Sequence, residues 1–297
     1  VSRVLPIVLG AFLFSSLIFA NPEFNNVAAG LATVSQTPTT TTVNQTSQQA
    51  ILNWHSFNIG SGESTHFQQP TGGVTFNRIN PSQGVSQIYG NLTATGRIIL
   101  SNPAGIHFGP NAYVNVGGLI ATTMDMSDSD FMSGNYHFSQ VPGFNGEIIN
   151  QGYIIAATHG LVALVGGAVT NDGLIEAHMG QVILASGGAV TMSFAGNELV
   201  NFAVTAPSSN AKVTNNGSLI ADAGRVMVTA KAASGVLDNV IYMGGYVQAK
   251  SVGLVNGELV LGSSGSGVVR IAGKLNASGK GAGEKGGNIT ITGKYIL

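Results

Sequence analysis

From Val27 onward the chain is built from short runs that are either wholly apolar or alternate between apolar and polar residues. Helical spacing is nearly absent. The runs are four to six residues long, rich in Val, Ile and Thr, and broken by Gly, Asn or Ser. Arg97-Ile98-Ile99-Leu100, Tyr153-Ile154-Ile155-Ala156, Leu161-Val162-Ala163-Leu164-Val165 and Asn288-Ile289-Thr290-Ile291-Thr292 are examples. Such runs predict β-strands separated by turns.

A longer period lies above the strands. Asn150-Gln151-Gly152 opens a phrase that restarts at Asn171-Asp172-Gly173 and, after an interruption over residues 192–213, at Asn215-Asn216-Gly217. Gly152 to Gly173 is 21 residues (173 − 152), as is Gly166 to Gly187, and Gly173 to Gly217 is 44. A fixed period with several short strands per repeat means a solenoid. The period is too short for a propeller blade of about 40 residues, and the L-x-x-L-x-L phrasing of leucine-rich repeats is absent. It suits one coil of a parallel β-helix with about three strands, each bonded to its equivalent about 4.8 Å away. Inward Val, Ile and Leu then stack coil on coil. Gly and Asn are expected at corners that need positive φ or close approach. The residues beyond the first twenty predict about 12 coils, a rod about 60 Å long.

Three stretches depart from the repeat. Residues 4–19 are apolar apart from Ser15 and Ser16, and Arg3 is the only charge before Glu23. This predicts a signal peptide over residues 1–20, cleaved after Ala20 and handled by the Sec translocon. A membrane anchor is the weaker alternative, because the run is under the roughly 18 residues of a spanning helix and Pro6 interrupts it. Residues 37–49 are rich in Thr, Gln and Asn and predict strands near the N-terminal end. Residues 124–146 carry Asp125, Asp128 and Asp130 and then aromatic residues, and read as an excursion from the rod. The first coil of a solenoid exposes a strand edge and needs a cap, a role assigned to residues 27–75. Gly286-Gly287-Asn288 opens another strand phrase, so residues 201–297 read as continuing repeats at the start of a longer passenger.

Composition narrows the function. Only 25 of 297 residues are charged (12 Lys+Arg, 13 Asp+Glu) and the net charge is −1. A nucleic-acid partner needs a basic surface and is not expected. With 44% hydrophobic residues the chain is not expected to be disordered. The lack of cysteine excludes disulfides, thiolate metal sites and Cys nucleophiles.

The main rival reading is a secreted β-helix polysaccharide lyase or hydrolase, or a glycan-binding protein. A β-helix enzyme of that kind needs clustered carboxylates, or Arg or Lys with Ca²⁺. Asp125, Asp128 and Asp130 lack calcium-loop spacing and read as a solvated loop. Glu147, Glu176 and Glu198 are unevenly spaced singletons. The six histidines (55, 66, 107, 137, 159 and 178) show no ligand spacing, and His159 with His178 reads as a stacked surface pair. Trp54 and Phe57 read as packing of the N-terminal coil. No catalytic residue, metal or cofactor is assigned, and the chain is not expected to be an enzyme.

One motif stands out. Asn102-Pro103-Ala104-Gly105 lies between the apolar runs 98–100 and 106–108. Asn at i, Pro at i+1 and Gly at i+3 favour a type I turn. On the residues alone this is a plain corner. Residues 45–126, however, resemble the two-partner secretion domain of filamentous haemagglutinin and the high-molecular-weight adhesins of Gram-negative bacteria. The resemblance rests on Gln45-Thr46-Ser47-Gln48-Gln49-Ala50-Ile51-Leu52-Asn53-Trp54-His55, Phe76-Asn77-Arg78-Ile79, Ser86-Gln87-Ile88-Tyr89-Gly90-Asn91-Leu92, Gly96-Arg97-Ile98-Ile99-Leu100-Ser101-Asn102-Pro103-Ala104-Gly105-Ile106 and Val114-Asn115-Val116-Gly117-Gly118-Leu119-Ile120. As a repeat pattern it runs to about residue 200, which sets the expected domain at 21–200. The family hallmark is Asn-Pro-Asn-Gly-Ile, and Ala104 stands where it has the second Asn. The second family motif, Asn-Pro-Asn-Leu, is absent, and Asn80-Pro81-Ser82-Gln83 is at most an echo.

The resemblance implies an all-β, right-handed parallel β-helix with an N-terminal cap and extra-helical strands. It implies a segment that crosses the periplasm unfolded and is recognised by an outer-membrane β-barrel transporter with POTRA domains. The segment then folds outside and templates downstream repeats, which in the parent adhesin meet a host-surface glycan or protein. Asn102, Pro103, Gly105 and Ile106 are the implied secretion-motif residues, acting through turn formation, transporter contact or both.

Overall fold

Three short strands make each coil of the chain, and the reason is visible in one repeat. Tyr153–Ala156, Leu161–Gly166 and Ala168–Asn171 alternate inward and outward side chains or bury both, and glycine separates the first from the second. They pair in parallel with Leu174–Glu176, Gln181–Ser186 and Lys212–Asn215 respectively. Repeated along the axis, this gives the expected right-handed parallel β-helix with three sheet faces. The computed structural model describes residues 21–234, 239–264 and 267–297. The leader expected over residues 1–20 lies outside the described residues. Among them, no helix is long and apolar enough to cross a membrane.

The coil number differs from the expectation. The third face holds eight strands, and pairing of Ile59 with Ile88 adds the coil before them. Among the described residues, nine coils (8 + 1) therefore stack over about 43 Å at about 4.8 Å each. The 21-residue period holds only locally. Gly217 and Gly245, partners at one corner, are 28 residues apart (245 − 217), and the cap and two excursions consume further chain.

Glycine and asparagine play different parts at the corners. A Cβ on Gly217 would lie 2.0 Å from the carbonyl oxygen of Gly173, and one on Gly273 would lie 1.9 Å from that of Gly245. A second column runs through Gly160, Gly180 and Gly224, where a Cβ would lie 2.1 Å from the carbonyl below at each of the last two. Close backbone approach, not positive φ, selects glycine there. Asn150, Asn171 and Asn215 are wholly buried and form an inward ladder. Nδ2 of Asn150 donates to Oδ1 of Asn171 at 2.7 Å, and Nδ2 of Asn171 donates to Oδ1 of Asn215 at 2.7 Å. In-register parallel stacking gives each amide the same partner above and below. Among the described residues, the non-glycine residues at positive φ are instead His159, Met179 and Ala223. His159 and His178 meet through a backbone bond of 3.0 Å, and the residue in the matching positive-φ position one coil on from His159 is Met179.

The cap is shorter than residues 27–75. Glu23–Ala29 and Ala32–Gln36 pair antiparallel with Gln49–Ser56 and Thr40–Gln45, closing the end of the stack. From Thr40 onward the chain already pairs in parallel with the next coil and is part of the helix. Trp54 and Phe57 fill this first coil as expected. Both are 1% exposed, their rings meet edge to face at 5.1 Å, and Trp54 Nε1 donates to Asn77 Oδ1 at 3.0 Å.

Residues 124–146 are more than a loop. Met124–Asp125, Tyr136–Gln140, Ala189–Ala195 and Glu198–Ala206 form an antiparallel four-stranded sheet, and the helix Asp128–Met132 lies between the first two. This sheet covers the second face of the helix. Outward residues Phe76, Ile99, Ile120 and Ile183 meet Phe131, Tyr136, Phe138 and Met192 in a second core separate from the first. Ile98 and Leu100 point into the first core and Ile99 into the second, so both sides of this run are buried. Wholly apolar runs mark strands buried on both sides. The acidic cluster remains partly solvated, with Asp128 exposed, but it is ion-paired and not free. Arg78 pairs with Asp125 at 3.0 Å and Asp128 at 2.7 Å, and Asp130 bonds Ser127, the N-cap of the short helix.

Candidate functional site

The four residues 102–105 turn the chain from the second face to the third. The strand Asn91–Ser101 ends at Asn102, and Ile106–Phe108 starts the next face. Pro103 sits where no backbone donor is needed and where its fixed φ suits the turn. Gly105 N–H donates to the Asn102 carbonyl at 2.9 Å, closing the turn.

The Asn102 side chain is fully committed. Its Oδ1 accepts from the N–H of Ala104 at 3.0 Å. Its Nδ2 donates to the Gly84 carbonyl at 3.0 Å and to Ser86 Oγ at 2.9 Å. Gly105 has φ +126°, and a Cβ there would lie 2.9 Å from the Glu147 carbonyl oxygen. Ile106 enters the first core and pairs with Ser86 below and Ile148 above. Gly146 N–H donates to the Pro103 carbonyl at 3.2 Å. The turn is thus clamped by the coils on both sides. Asn102 and Ile106 are 0% exposed, whereas Ala104, at the position of the family's second Asn, is half-buried.

A second Asn-Pro turn lies directly against it. Asn80 Oδ1 accepts from Ser82 N–H at 3.1 Å, and Pro81 opens a short 3₁₀ turn ending at Gln83. Gly84, which follows, is the residue whose carbonyl Asn102 holds. The sequence echo at 80–83 and the motif at 102–106 therefore occupy one corner in successive coils.

The corner has no catalytic character. None of the residues 102–106 is ionisable, and the polar atoms of Asn102 are spent on the protein. Beside it, the His107 ring lies 3.3 Å from Tyr89 Oη and 3.1 Å from Gln151 Oε1. Among the described residues no group of three His, Asp or Glu is placed to hold a metal.

Sequence reasoning did not single out two arginines that tie the extra-helical sheet down. Arg78 bonds Asp125 and the Met126 carbonyl. Burial lowers its pKa, but the carboxylates of Asp125 and Asp128 outweigh burial and hold it above the ordinary value. Arg97 donates to the Asn197 carbonyl and lies 4.0 Å over the Phe194 ring. Burial pulls its pKa down, and Tyr136 only partly offsets this.

Comparison with known proteins agrees with this architecture. Residues 18–291 match the TPS secretion domain family. Over 249 residues the chain is 33% identical to a heme/hemopexin-binding protein of Haemophilus influenzae, covering 81% of this chain and 27% of that protein. A second Haemophilus influenzae heme/hemopexin-binding protein is 36% identical over 121 residues, covering 40% of this chain and 13% of its own length. The chain thus spans only a minor part of these relatives. Among solved structures, the HMW1 secretion domain from Haemophilus influenzae superposes with a TM-score of 0.73 at 27% identity, covering 92% of this chain and 73% of that one. The family is one of secretion domains rather than of enzymes, and its exoproteins are secreted across the outer membrane. The lyase or hydrolase alternative finds no support in these relatives. By the extent of the family match and the shared β-helix, this chain belongs to the two-partner secretion domain family.

Proposed function

We propose that this domain is the address read by a dedicated outer-membrane β-barrel transporter through its periplasmic POTRA domains, and that the chain is read before it folds. A signal peptide at residues 1–20 and the Sec translocon bring it to the periplasm. Outside, the helix nucleates on the N-terminal cap, and each finished coil presents a strand edge to the next. Repeats beyond residue 200 extend the rod at the cell surface, where the passenger meets a host glycan or protein.

The observation that carries the reading is the burial of the motif. A transporter that uses the side chains of Asn102 and Ile106 can reach them only while the chain is open, because both are 0% exposed once the helix closes. The lack of cysteine supports threading, since no disulfide can lock the chain beforehand.

The test is secretion with and without the cognate transporter, comparing wild type, Asn102→Ala and the exposed neighbour Gln83→Ala. Folded β-rich protein should reach the medium only with the transporter. Asn102→Ala should reduce release and Gln83→Ala should not. Release without the transporter, or loss confined to Gln83→Ala, would overturn the reading.

A further inference from the structure

The corner between the first and second faces carries a cavity of about 660 Å³, across the second face from the turn at 102–105. The tip of the extra-helical hairpin, residues 195–198, forms one wall, and corner glycines including Gly96, Gly117 and Gly160 form the floor. We propose that this cavity binds a carboxylated saccharide, with Arg97 receiving the carboxylate.

Three observations carry the proposal. The first is charge. Arg97 is 7% exposed, lines the cavity, and has no carboxylate in ion-pair distance among the described residues. A buried guanidinium without a counter-ion is costly, and an incoming carboxylate offsets that cost. Its Nη2 bonds the carbonyl of Asn197, a residue of the cavity wall, Tyr136 hydrogen-bonds the same guanidinium and Phe194 stacks under it; the remaining donors of the five-donor fork are left for a ligand.

The second is position. His159 lines the same cavity. Its φ of +65° recurs at Met179 and Ala223 in the matching corners of later coils, so the repeat sets its backbone, and the imidazole is what distinguishes this corner.

The third is lining chemistry. Gln69, Thr71, Thr95, Thr158 and Asn197 supply hydroxyls and amides, and the lining has no large aliphatic side chain and no aromatic ring besides the His159 imidazole. That surface suits sugar hydroxyls better than the apolar side chains of a peptide. The one acid in the lining is Glu198, which is exposed at the hairpin tip. Its charge opposes an anionic ligand.

The test is calorimetric titration of the folded chain with glucuronate, glucose and acetate, each on wild type, Arg97→Lys, His159→Gly and Glu198→Gln. Glucuronate should bind, with glucose and acetate at least tenfold weaker. Arg97→Lys should weaken glucuronate at least tenfold, because lysine loses the planar fork. Glu198→Gln should tighten it two- to fivefold, and this exposed substitution carries no folding risk. His159→Gly should raise the melting temperature while weakening glucuronate. No binding of glucuronate, equal binding of acetate or glucose, or an unchanged affinity in Glu198→Gln would each overturn the assignment.

Discussion

Asn171 stands midway in a buried chain of amides. Its Oδ1 accepts a hydrogen bond from Asn150 Nδ2 at 2.7 Å, and its Nδ2 donates one to Asn215 Oδ1 at 2.7 Å. The ladder spans an interruption of the sequence, because Asn171 and Asn215 are 44 residues apart (215 − 171) yet lie one coil apart in space.

Asn171→Ala should therefore cost more than a single lost hydrogen bond. It leaves a donor on Asn150 and an acceptor on Asn215 buried and unpaired, about 2–4 kcal/mol in all. Chemical denaturation should show the loss. Asn171→Asp should be no better, since a carboxylate cannot donate to Asn215.

At the Asn102-Pro103 turn, Asn102→Ala removes three side-chain bonds inside the fold. A loss of about 3 kcal/mol is expected. Pro103→Ala keeps all three and should lose only about 0.5–1 kcal/mol, through the greater freedom of the unfolded chain. Equal melting temperatures for the two variants would contradict the clamped-turn geometry.

Two glycines should separate steric crowding from backbone strain. Gly217→Ala places a methyl group 2.0 Å from the Gly173 carbonyl oxygen, inside a corner that cannot move without shifting the next coil. It should cost more than about 3 kcal/mol or prevent folding. Gly134→Ala meets nothing within 4 Å and carries only the cost of φ +75°, about 1–2 kcal/mol. Thermal melts of the two variants should differ clearly.

The outward face has an alkaline response. Burial, and then the hydrogen bond to Glu176, raise the Tyr153 pKa from 10.0 to about 12. Its folded value lies above its unfolded one, so its stabilising contribution is complete below pH 10 and is lost as pH rises through about 12. Tyrosinate absorbance should report a late-titrating tyrosine in wild type. Glu176→Gln should bring that titration back toward 10.

The β-helix was legible in the sequence because its register is local. Asn150 to Asn171 and Gly152 to Gly173 repeat in one dimension, and their stacking follows directly. The turn at 102–105 was legible because Asn, Pro and Gly carry turn geometry in their own covalent structure. The extra-helical sheet was not, since Tyr136 meets Met192 only across 56 residues (192 − 136) of intervening coil. A signal was present in runs such as Ile98-Ile99-Leu100, where an apolar residue at every position requires a second buried side. The aspartates were misjudged for the same reason, as their partner Arg78 lies on another coil. The positive-φ corners held by His159, Met179 and Ala223 have no signature in residue type at all.

The pairing of Tyr136–Gln140 with Ala189–Ala195 also fixes an order of events. In a chain that folds from its N-terminus, the first of these strands is in place long before the second. Until residue 189 joins, the second core has Phe131, Tyr136 and Phe138 beside Phe76, Ile99 and Ile120 but lacks Val190, Met192 and Leu199. The rod can lengthen during that interval, but its flank closes in one late step. A passenger arrested between residues 140 and 189 should therefore be sticky and protease-sensitive, and one arrested after 206 should be neither.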